Sequence, residues 1–476
     1  MQHSMRGSFF MDSMSRVFPI LAACACAWSA NAAEVHVTLD PAHPGREVPR
    51  SFAGISHEWG PFAMPEGGSA AQVHPTYLRL LEHLCAFNDT ALCFRIGGAT
   101  ADQMRKSPEP DRWRQLGEIF KTTRTPLVIN INLASGTAEL PAQMIRDAQK
   151  FLPPAAILSF ELGNEPDGWP NRHRPENFDF AQYLDEFDAV AGQLSPALTP
   201  SLAGPAWAHG AVPEILSEFI ARNKTRINLL TVHAYRFDPK SKPGPVKLLD
   251  ERAVTGFAEW MGDGIKTAHD AGLKLRLDET GSAWGGGVAG FSDSFGASLW
   301  TLDFFLALAD AGLDGINLHS VRTNAYSVIR EDVDKGTGRT TITVNAPYYG
   351  MLVFAEAVAR QARFVPVSTS GAGKVKLWAT LDRRGALRVV AINKDATDAG
   401  DVMLKVGTPF SGAAVKRLEA ASIEATRGIR YAGQTFDDSA DGNPIGALLE
   451  EKLPVADGGV HFRVAPASAV LVTLVP

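Results

Sequence analysis

Short apolar runs alternate with amphipathic segments along most of this chain. Between residues 52 and 363, eight apolar runs of strand length are separated by segments whose apolar residues recur at helical spacing. Strands that alternate with helices form parallel sheets with right-handed crossovers, so the pattern predicts a (β/α)8 TIM barrel, an α/β fold. The predicted strands are 52–56, 92–96, 126–133, 155–160, 201–207, 227–235, 273–279 and 315–321, and the predicted helices are 77–85, 113–121, 141–150, 178–193, 212–222, 258–271, 294–311 and 347–363.

The pattern changes after residue 363. Short runs of alternating apolar and polar residues, separated by Gly, Asp and Pro, predict a C-terminal all-β sandwich domain with strands at 375–381, 386–393, 402–406, 415–418 and 470–475. One further alternating strand, 34–41, precedes the barrel, and we expect it to join the sandwich. The expected division is a signal peptide at 1–32, an N-terminal sandwich strand at 33–45, the catalytic barrel at 46–363 and the β-sandwich at 364–476.

The first residues have the composition of a targeting segment. Arg6 and Arg16 precede an apolar run at 17–28, and small residues follow at 30–32. This order predicts a secretory signal peptide cleaved after Ala32, and hence a secreted or periplasmic protein. The alternative is a lipoprotein signal at 21–24, which would leave the protein anchored through Cys24.

Composition narrows the function classes. The 476 residues are 45% hydrophobic and 21% charged, the balance of an ordinary globular protein, and the formal net charge is −6. An acidic balance argues against nucleic acid as a partner, and a polyanion would need a local basic patch.

Cys85 and Cys93 either form a small-loop disulfide or remain two buried thiols. No zinc-ligand spacing is present, so neither a metal nor a cofactor is expected.

Two predicted strands end in acidic residues. Strand four runs into Asn164-Glu165-Pro166, and strand seven ends at Asp278-Glu279. The carboxyl ends of barrel strands meet at the face where active sites form. A pair of carboxyls there meets the requirement of glycoside hydrolysis, in which one group protonates the leaving oxygen and the other acts at the anomeric carbon. Because side chains alternate along a strand, we expect only one of Asp278 and Glu279 to face the barrel mouth, and the pattern leaves open which one.

Other polar residues lie near these strand ends. His233 and Tyr235 share one face of strand six. A tyrosine hydroxyl beside a carboxylate can hold it ionised, whereas His233 and His319 are equally interpreted as core histidines. Glu161, four residues before Glu165, is expected to be a buried acid paired with Arg95. A basic run beyond the acid is either a set of sulfate contacts or a solvated loop: Arg172, His173 and Arg174.

Three motifs in combination resemble glycoside hydrolase family 79, with the closest likeness to heparanases and bacterial β-glucuronidases. They are Phe94–Gly98, Glu161–Pro166 and Glu279–Gly287. The resemblance implies a retaining mechanism with Glu165 as acid/base and Glu279 as nucleophile. It also implies these substrate contacts: Asn164 on the sugar 2-hydroxyl, Tyr235 on the nucleophile, Glu58 on sugar hydroxyls, and the Gly285 and Gly286 amides with the Tyr326 hydroxyl on the glucuronate carboxylate.

The sequence therefore predicts a retaining endo-β-glucuronidase that resembles heparanase and acts on a glucuronate-containing polysaccharide of the heparan sulfate type. The alternative is an exo-acting β-glucuronidase with a pocket closed behind the terminal sugar. A third hypothesis, from a different class, is a non-catalytic glycosaminoglycan-binding protein, which loss of either glutamate would favour. No membrane span is expected after the signal peptide.

Overall fold

Eight parallel strands close into a barrel in the computed structural model, and a strand from before the barrel lies in a separate sheet. The structure describes residues 33–475 apart from 88–91, 195–197, 199–201, 407–409 and 411. The predicted signal peptide, including Cys24, lies outside the described residues. The strands up to the end of the barrel are β1 (Ala33–Leu39), β2 (Ala53–Glu58), β3 (Cys93–Gly97), β4 (Leu127–Ile131), β5 (Ile157–Leu162), β6 (Leu202–Trp207), β7 (Ile227–Phe237), β8 (Lys274–Ala283) and β9 (Gly315–His319).

The barrel order is β2 to β9 in sequence, with β9 pairing β2 to close it. Helices cover the outside, since their apolar faces can be buried only against the strands. In chain order the helices are α1 (Pro75–Cys85), α2 (Ala99–Gln103), α3 (Pro110–Thr123), α4 (Glu139–Phe151), α5 (Phe180–Ala191), α6 (Pro213–Asn223), α7 (Thr255–Asp270), α8 (Phe295–Asp310) and α9 (Ala346–Ala357), of which α2 is a short segment at the carboxyl end of the barrel.

The remaining strands form a hairpin and two packed sheets. They are β10 (Ile329–Val333), β11 (Thr340–Val344), β12 (Arg363–Phe364), β13 (Val367–Gly371), β14 (Val375–Leu381), β15 (Leu387–Asn393), β16 (Gly400–Val406), β17 (Gly412–Glu419), β18 (Arg430–Tyr431), β19 (Glu451–Leu453), β20 (Gly459–Val464) and β21 (Ala469–Val475). One sheet has the order β13-β1-β16-β20, and the other has the order β12-β14-β15-β21-β17-β18 with β19 on β17. Val, Leu and Ala side chains from both sheets form one buried cluster between them. The predicted TIM barrel with a C-terminal β-sandwich is confirmed.

Short elements such as α2, β13 and β20 were not predicted, and two further differences lie near the end of the barrel. The last helix, predicted to reach residue 363, ends at Ala357, because Arg360 and Gln361 have positive φ and the chain turns into β12. The β10–β11 hairpin was not predicted at all. No helix within the described ranges is long and apolar enough to cross a membrane.

Cys85 and Cys93 are free thiols in the structure. Burial raises the pKa of both thiols. Of the two interpretations left open by the sequence, the structure shows two thiols instead of a disulfide.

Candidate active site

Glu165 and Glu279 meet at the carboxyl end of the barrel. Glu165 follows β5 in a left-handed backbone conformation with φ 45°, and its N–H donates to the Ala206 carbonyl at 3.0 Å. Such a conformation costs energy in a residue with a side chain and is found preferentially at functional sites. Glu279 comes from β8. One oxygen of each carboxyl lies within 4.8 Å of the other, so the two groups can act on one substrate bond.

Glu279 is held as an ionised carboxylate. It is buried, its Oε1 accepts the Tyr235 hydroxyl at 2.9 Å, and its Oε2 accepts Arg95 Nη1 at 2.6 Å. Burial alone would raise the pKa of Glu279, but His319, His233 and Arg95, together with the Tyr235 hydrogen bond, hold that pKa well below its usual range. Tyr235 therefore has the position that the resemblance implies for the partner of the nucleophile.

A fully buried arginine joins both halves of the site. Arg95 from β3 pairs with Glu161 at 2.7 Å and donates to the Asn164 side-chain oxygen at 2.8 Å, besides its bond to Glu279. The expected Arg95–Glu161 pair is thus present. Burial raises the pKa of Glu161 to about 8, with a further contribution from Asp278, although Arg95 lowers it. Asn164 is held by its oxygen, and its amide N–H groups remain for a sugar hydroxyl.

The expected alternation of Asp278 and Glu279 is wrong, because β8 carries an extra residue at this point. Val232 of β7 pairs with Leu277 of β8, but the next residue of β7, His233, pairs with Glu279, so Asp278 has no partner on β7. The resulting bulge lets both acids turn towards the barrel interior. Asp278 is fully buried, 3.5 Å from Arg95 Nε and 3.4 Å from His233 Nε2.

Two histidines line the site instead of serving only as core residues. His233 Nδ1 lies 3.1 Å from Glu165 Oε1, and His319 lies 3.7 Å from Glu58 and 3.9 Å from Glu279. Burial lowers the pKa of each imidazole, but the surrounding carboxylates outweigh it and raise the pKa of both, that of His233 strongly. The carboxylates thus favour the protonated form of both imidazoles, which offsets part of the negative charge of the site.

Glu58 lies at the end of β2, beside His319. Its Oε2 accepts the backbone N–H of Thr100 at 2.9 Å and also the Thr100 hydroxyl. Burial raises the pKa of Glu58, but hydrogen bonds from His319 and Thr100 bring it below its usual value. An ionised carboxylate in this position can accept hydrogen bonds from sugar hydroxyls.

The glycine loop after β8 has the conformation that a backbone anion site needs. Gly285 and Gly286 have φ of 68° and 98°, and within the described part of the chain their amides have no protein acceptor. Successive amides in this conformation form a concavity that binds anions. The Tyr326 ring lies beside this loop, with its centroid 6.1 Å from that of Tyr235, and burial raises the pKa of its hydroxyl. Its hydroxyl therefore remains a donor at all working pH values.

The basic run is only partly available to a substrate. Arg174 pairs with Glu186 at 2.7 Å, donates to the Ala134 carbonyl at 2.9 Å, and its guanidinium lies 5.0 Å from the centre of the Trp169 ring. These contacts fix it to the fold, which corrects the expectation that Arg174 contacts sulfate. Arg172 is exposed and His173 is half-buried, so these two remain at the surface beside the acid/base.

The sequence interpretation missed Asp102. This acid is on α2, and its Oδ2 accepts Trp169 Nε1 at 2.9 Å, while the backbone N–H of Asn164 also donates to it. Burial raises the pKa of Asp102 to about 8 despite these donors. Its place shortly after the end of the second barrel strand was the one available signal.

Among the residues that the structure describes, two sets of side chains have the spacing of metal ligands: Glu161 with His233 and Asp278, and Glu165 with His233 and Glu279. Arg95 contacts an acid of each set. A guanidinium that already neutralises these oxygens is a poor neighbour for a divalent cation, so the donor set fits acid–base and covalent chemistry better than metal binding.

Comparison with known proteins identifies the C-terminal domain. Residues 377–471 match the model described as the glycosyl hydrolase family 79 C-terminal beta domain. A β-glucuronidase of Aspergillus niger is 26% identical over 407 residues, which cover 75% of this chain and 74% of that protein. Heparanase-like protein 3 of Arabidopsis thaliana is 22% identical over 381 residues, which cover 74% of this chain and 65% of that protein.

Solved structures share the fold. The 4-O-α-L-rhamnosyl-β-D-glucuronidase of Fusarium oxysporum 12S superposes with a TM-score of 0.75 at 19% identity, covering 92% of this chain and 100% of that one. The family 51 arabinofuranosidase of Xanthomonas axonopodis pv. citri superposes with a TM-score of 0.70 at 15% identity, covering 93% of this chain and 100% of that one. The resemblance to family 79 and the prediction of an enzyme, a glycoside hydrolase, are confirmed.

Proposed function

We propose that this chain, a glycoside hydrolase of the family 79 type, is a retaining β-glucuronidase. One observation carries the proposal: oxygens of Glu165 and Glu279 lie within 4.8 Å of each other. Retaining glycosidases keep their carboxyls about 5–5.5 Å apart, whereas inverting enzymes leave room for a water molecule between them. The state of Glu279 supports it further, because a nucleophilic carboxylate has to be ionised.

The mechanism follows from these positions. Glu279 attacks the anomeric carbon, and the bond from that carbon to the leaving oxygen breaks as Glu165 gives that oxygen its proton. The product is a glycosyl ester on Glu279. Glu165, now ionised, takes a proton from water, the water oxygen bonds to the anomeric carbon, and Glu279 leaves as a carboxylate. His233 contacts Glu165 and holds its side chain towards Glu279.

Specificity for glucuronate rests on the glycine loop. We infer that the amides of Gly285 and Gly286, with the Tyr326 hydroxyl, receive the sugar carboxylate. The positive φ values of the two glycines and the place of the Tyr326 ring support this role. Asn164 and Glu58 would bind sugar hydroxyls on the other side of the ring.

For the natural substrate, we propose internal cleavage of heparan sulfate-type chains, with Arg172 and His173 as the sulfate contacts that remain. A specific observation favours exo action as the second candidate. Arg174 is fixed by Glu186, so the basic run offers a polymer less charge than its sequence suggests.

Purified protein would be tested on heparan sulfate and on an aryl β-glucuronide, with Glu165→Gln and Glu279→Gln as inactive controls. A rapid fall in chain length that both variants abolish supports endo action. Release of free glucuronic acid with little change in chain length supports exo action. If the wild-type enzyme cleaves neither substrate while an aryl glycoside of another sugar is hydrolysed, glucuronidase activity is refuted.

We also propose export through the signal peptide at 1–32. Expression of the full-length chain in a bacterial host, followed by N-terminal sequencing of the periplasmic product, should give a new terminus at Ala33. A lipid-modified terminus at Cys24 would instead establish the lipoprotein alternative.

A further inference from the structure

One fully buried acid of β8 has no part in the mechanism above. Asp278 precedes the nucleophile in sequence, and within the described part of the chain neither of its oxygens has a hydrogen-bond partner. Its charged neighbours are His233 Nε2 at 3.4 Å and Arg95 Nε at 3.5 Å. Burying a carboxyl without hydrogen bonds costs free energy, so a buried acid of this kind calls for a functional explanation.

The backbone of β8 is built to turn Asp278 inwards. On the other side of the strand, β9 pairs with Leu277 and then with Thr280, so that a single residue of β9 lies opposite Asp278 and Glu279. Asp278 also has no partner on β7. Bulges re-aim side chains and are frequent beside active sites. This bulge places two successive acids inside the barrel, where regular alternation would place one.

His233 of β7 lies between Asp278 and the acid/base. Its Nε2 is 3.4 Å from Asp278 Oδ1, its Nδ1 is 3.1 Å from Glu165 Oε1, and its ring is fully buried. A neutral imidazole has one N–H and can donate to only one of these acids, whereas an imidazolium has two and can donate to both. An acid at each ring nitrogen therefore favours the imidazolium.

Three neighbouring strands bring charge to His233. The titratable groups that face the ring are Glu161 and Glu165 at the end of β5, Asp278 and Glu279 on β8, and Arg95 on β3. Burial and Arg95 lower the pKa of His233, but the acids outweigh them and raise that pKa well above its usual value. Burial raises the pKa of Asp278, but Arg95 and His233 hold it below its usual range. The ionised acid and the protonated ring thus stabilise each other.

We propose that Asp278 is a positioning residue for the acid/base. It holds His233 as an imidazolium whose Nδ1–H is directed at Glu165, so the three side chains form a chain that ends at the catalytic centre. Because Oε1 of Glu165 accepts from His233, Oε2 is left to carry the proton to the leaving oxygen. The same imidazolium stabilises the Glu165 carboxylate after that proton has been transferred. This inference rests on the proposed glycosidase mechanism and adds a residue that acts through another side chain.

Asp278→Asn keeps the shape of the side chain and removes its charge, so His233 should lose its proton near neutral pH. We compare kcat/KM for phenyl β-glucuronide, which has a poor leaving group, with kcat/KM for 2,4-dinitrophenyl β-glucuronide, which has a good one. The ratio of the first to the second should fall about tenfold, because only the poor leaving group needs a well-placed proton donor.

The pH profile gives a second measurement on the same variant. The groups that face Glu165 are His233, Tyr235, Glu279 and Asp102. The basic limb of the kcat/KM profile marks the loss of the Glu165 proton. In Asp278→Asn this limb should move to higher pH, because an imidazolium no longer favours the ionised carboxylate. A residue that only supports the fold would lower kcat/KM without moving the limb.

A double variant shows whether Asp278 acts through His233. His233→Gln should lower the same ratio of substrates, and adding Asp278→Asn to it should change the ratio little, because residues of one network are not additive. The matched control is Asp382→Asn. Asp382 is a buried acid of the sandwich that pairs with Arg388 at 2.9 Å, and its loss should leave the ratio and the basic limb unchanged.

Nitrogen NMR of the wild-type enzyme, with ¹⁵N-labelled histidine, tests the protonation of His233 directly. The signal that disappears in His233→Gln should show both ring nitrogens protonated at neutral pH. A neutral ring would overturn the proposal, as would effects of the two substitutions that multiply in the double variant, or an Asp278→Asn enzyme with the wild-type ratio and basic limb. If the wild-type enzyme hydrolyses neither aryl glucuronide, the proposed function fails instead, and the NMR signal still decides the pairing of Asp278 with His233.

Discussion

At the scale of single residues, the contact between Tyr235 and Glu279 decides whether the nucleophile is ionised. Replacing Tyr235 with Phe removes the hydrogen bond to Oε1, and the pKa of Glu279 should rise as a result. The enzyme loses activity as pH falls through that pKa, so the acid limb of the kcat/KM profile should move to higher pH. Loss of a hydrogen bond to a charged group costs about 1.5–3 kcal/mol, which predicts a kcat roughly ten- to a hundredfold lower.

The control for this change is Tyr348→Phe. Tyr348 is a buried tyrosine whose hydroxyl donates to the Leu80 carbonyl at 2.9 Å outside the active site. The pH profile of this variant should match that of the wild-type enzyme. An unchanged profile in Tyr235→Phe as well would show that the phenol does not tune Glu279.

Asp102 gives a prediction about stability and pH. Its pKa is about 8 in the fold and near 3.8 in the unfolded chain, so between these values the folded protein binds the extra proton. Stability therefore falls as pH rises through this window. Asp102→Asn removes this pH dependence. The free energy of unfolding of the variant minus that of the wild type should therefore increase by a few kcal/mol from pH 5 to pH 8. Urea unfolding at both pH values measures this. A constant difference would show that Asp102 does not titrate in this range.

Strand ends converge in a barrel, so the pattern of the sequence indicated Glu165 and one acid of the Asp278–Glu279 pair, and the resemblance to family 79 then selected Glu279. Sequence reasoning could not place Asp278, because alternation along a strand fails where a bulge adds a residue. It also could not show that His233 contacts Glu165, since a core histidine is normally buried and hydrogen-bonded as well.

At the scale of elements, a buried acid of the β10–β11 hairpin contacts the barrel, beside the apolar contacts of Ile329 and Ile342. Glu331 is 4% exposed, lies 3.3 Å from His57 Nε2 and accepts the backbone N–H of Ala63. The hairpin was missed from sequence because the buried position is charged: β10 reads Ile-Arg-Glu-Asp-Val and lacks the apolar alternation of a half-buried strand. Its strands bring only two buried isoleucines to the core, Ile329 and Ile342, and hydrophobic patterning does not register the hydrogen bonds of Glu331.

Replacing Glu331 with Ala should release the hairpin. The change leaves the Ala63 N–H and the His57 ring without their buried partner, at a cost of about 1–3 kcal/mol for each group. We expect faster tryptic cleavage at Lys335 and Arg339, which lie in the exposed turn between the strands. Glu331→Gln keeps an acceptor oxygen and should resist cleavage better. Equal cleavage rates in wild type and Glu331→Ala would show that other contacts hold the hairpin.

At the scale of the whole molecule, the barrel and the sandwich share one buried apolar cluster. It contains barrel residues such as Phe52 and Phe354 together with Val390, Ile392 and Leu471 of the sandwich. The sequence predicted both domains from the spacing of their apolar residues, but it did not predict this interface. Contacts between two domains have no fixed spacing along the chain, so they leave no periodic signal. A shared core predicts that the two domains unfold together.

Asp303 tests this coupling. It is on α8, is 1% exposed, accepts Trp378 Nε1 at 2.8 Å and pairs with Lys376 and Lys394 of the sandwich. Asp303→Ala would leave two largely buried ammonium groups short of a counter-charge, which typically costs about 3–5 kcal/mol. Calorimetry should therefore show one transition at a lower temperature, because a destabilised interface weakens both domains.

The matched control for Asp303→Ala is Lys374→Ala, which breaks a sandwich ion pair with Asp395 in which the lysine is 70% exposed. Exposed pairs contribute about 0–1 kcal/mol, so its transition should stay close to that of the wild-type protein. Two separate transitions in Asp303→Ala, with the barrel melting at its original temperature, would mean that the sandwich is an independent unit. A single shifted transition would mean that the sandwich stabilises the barrel that carries Glu165 and Glu279.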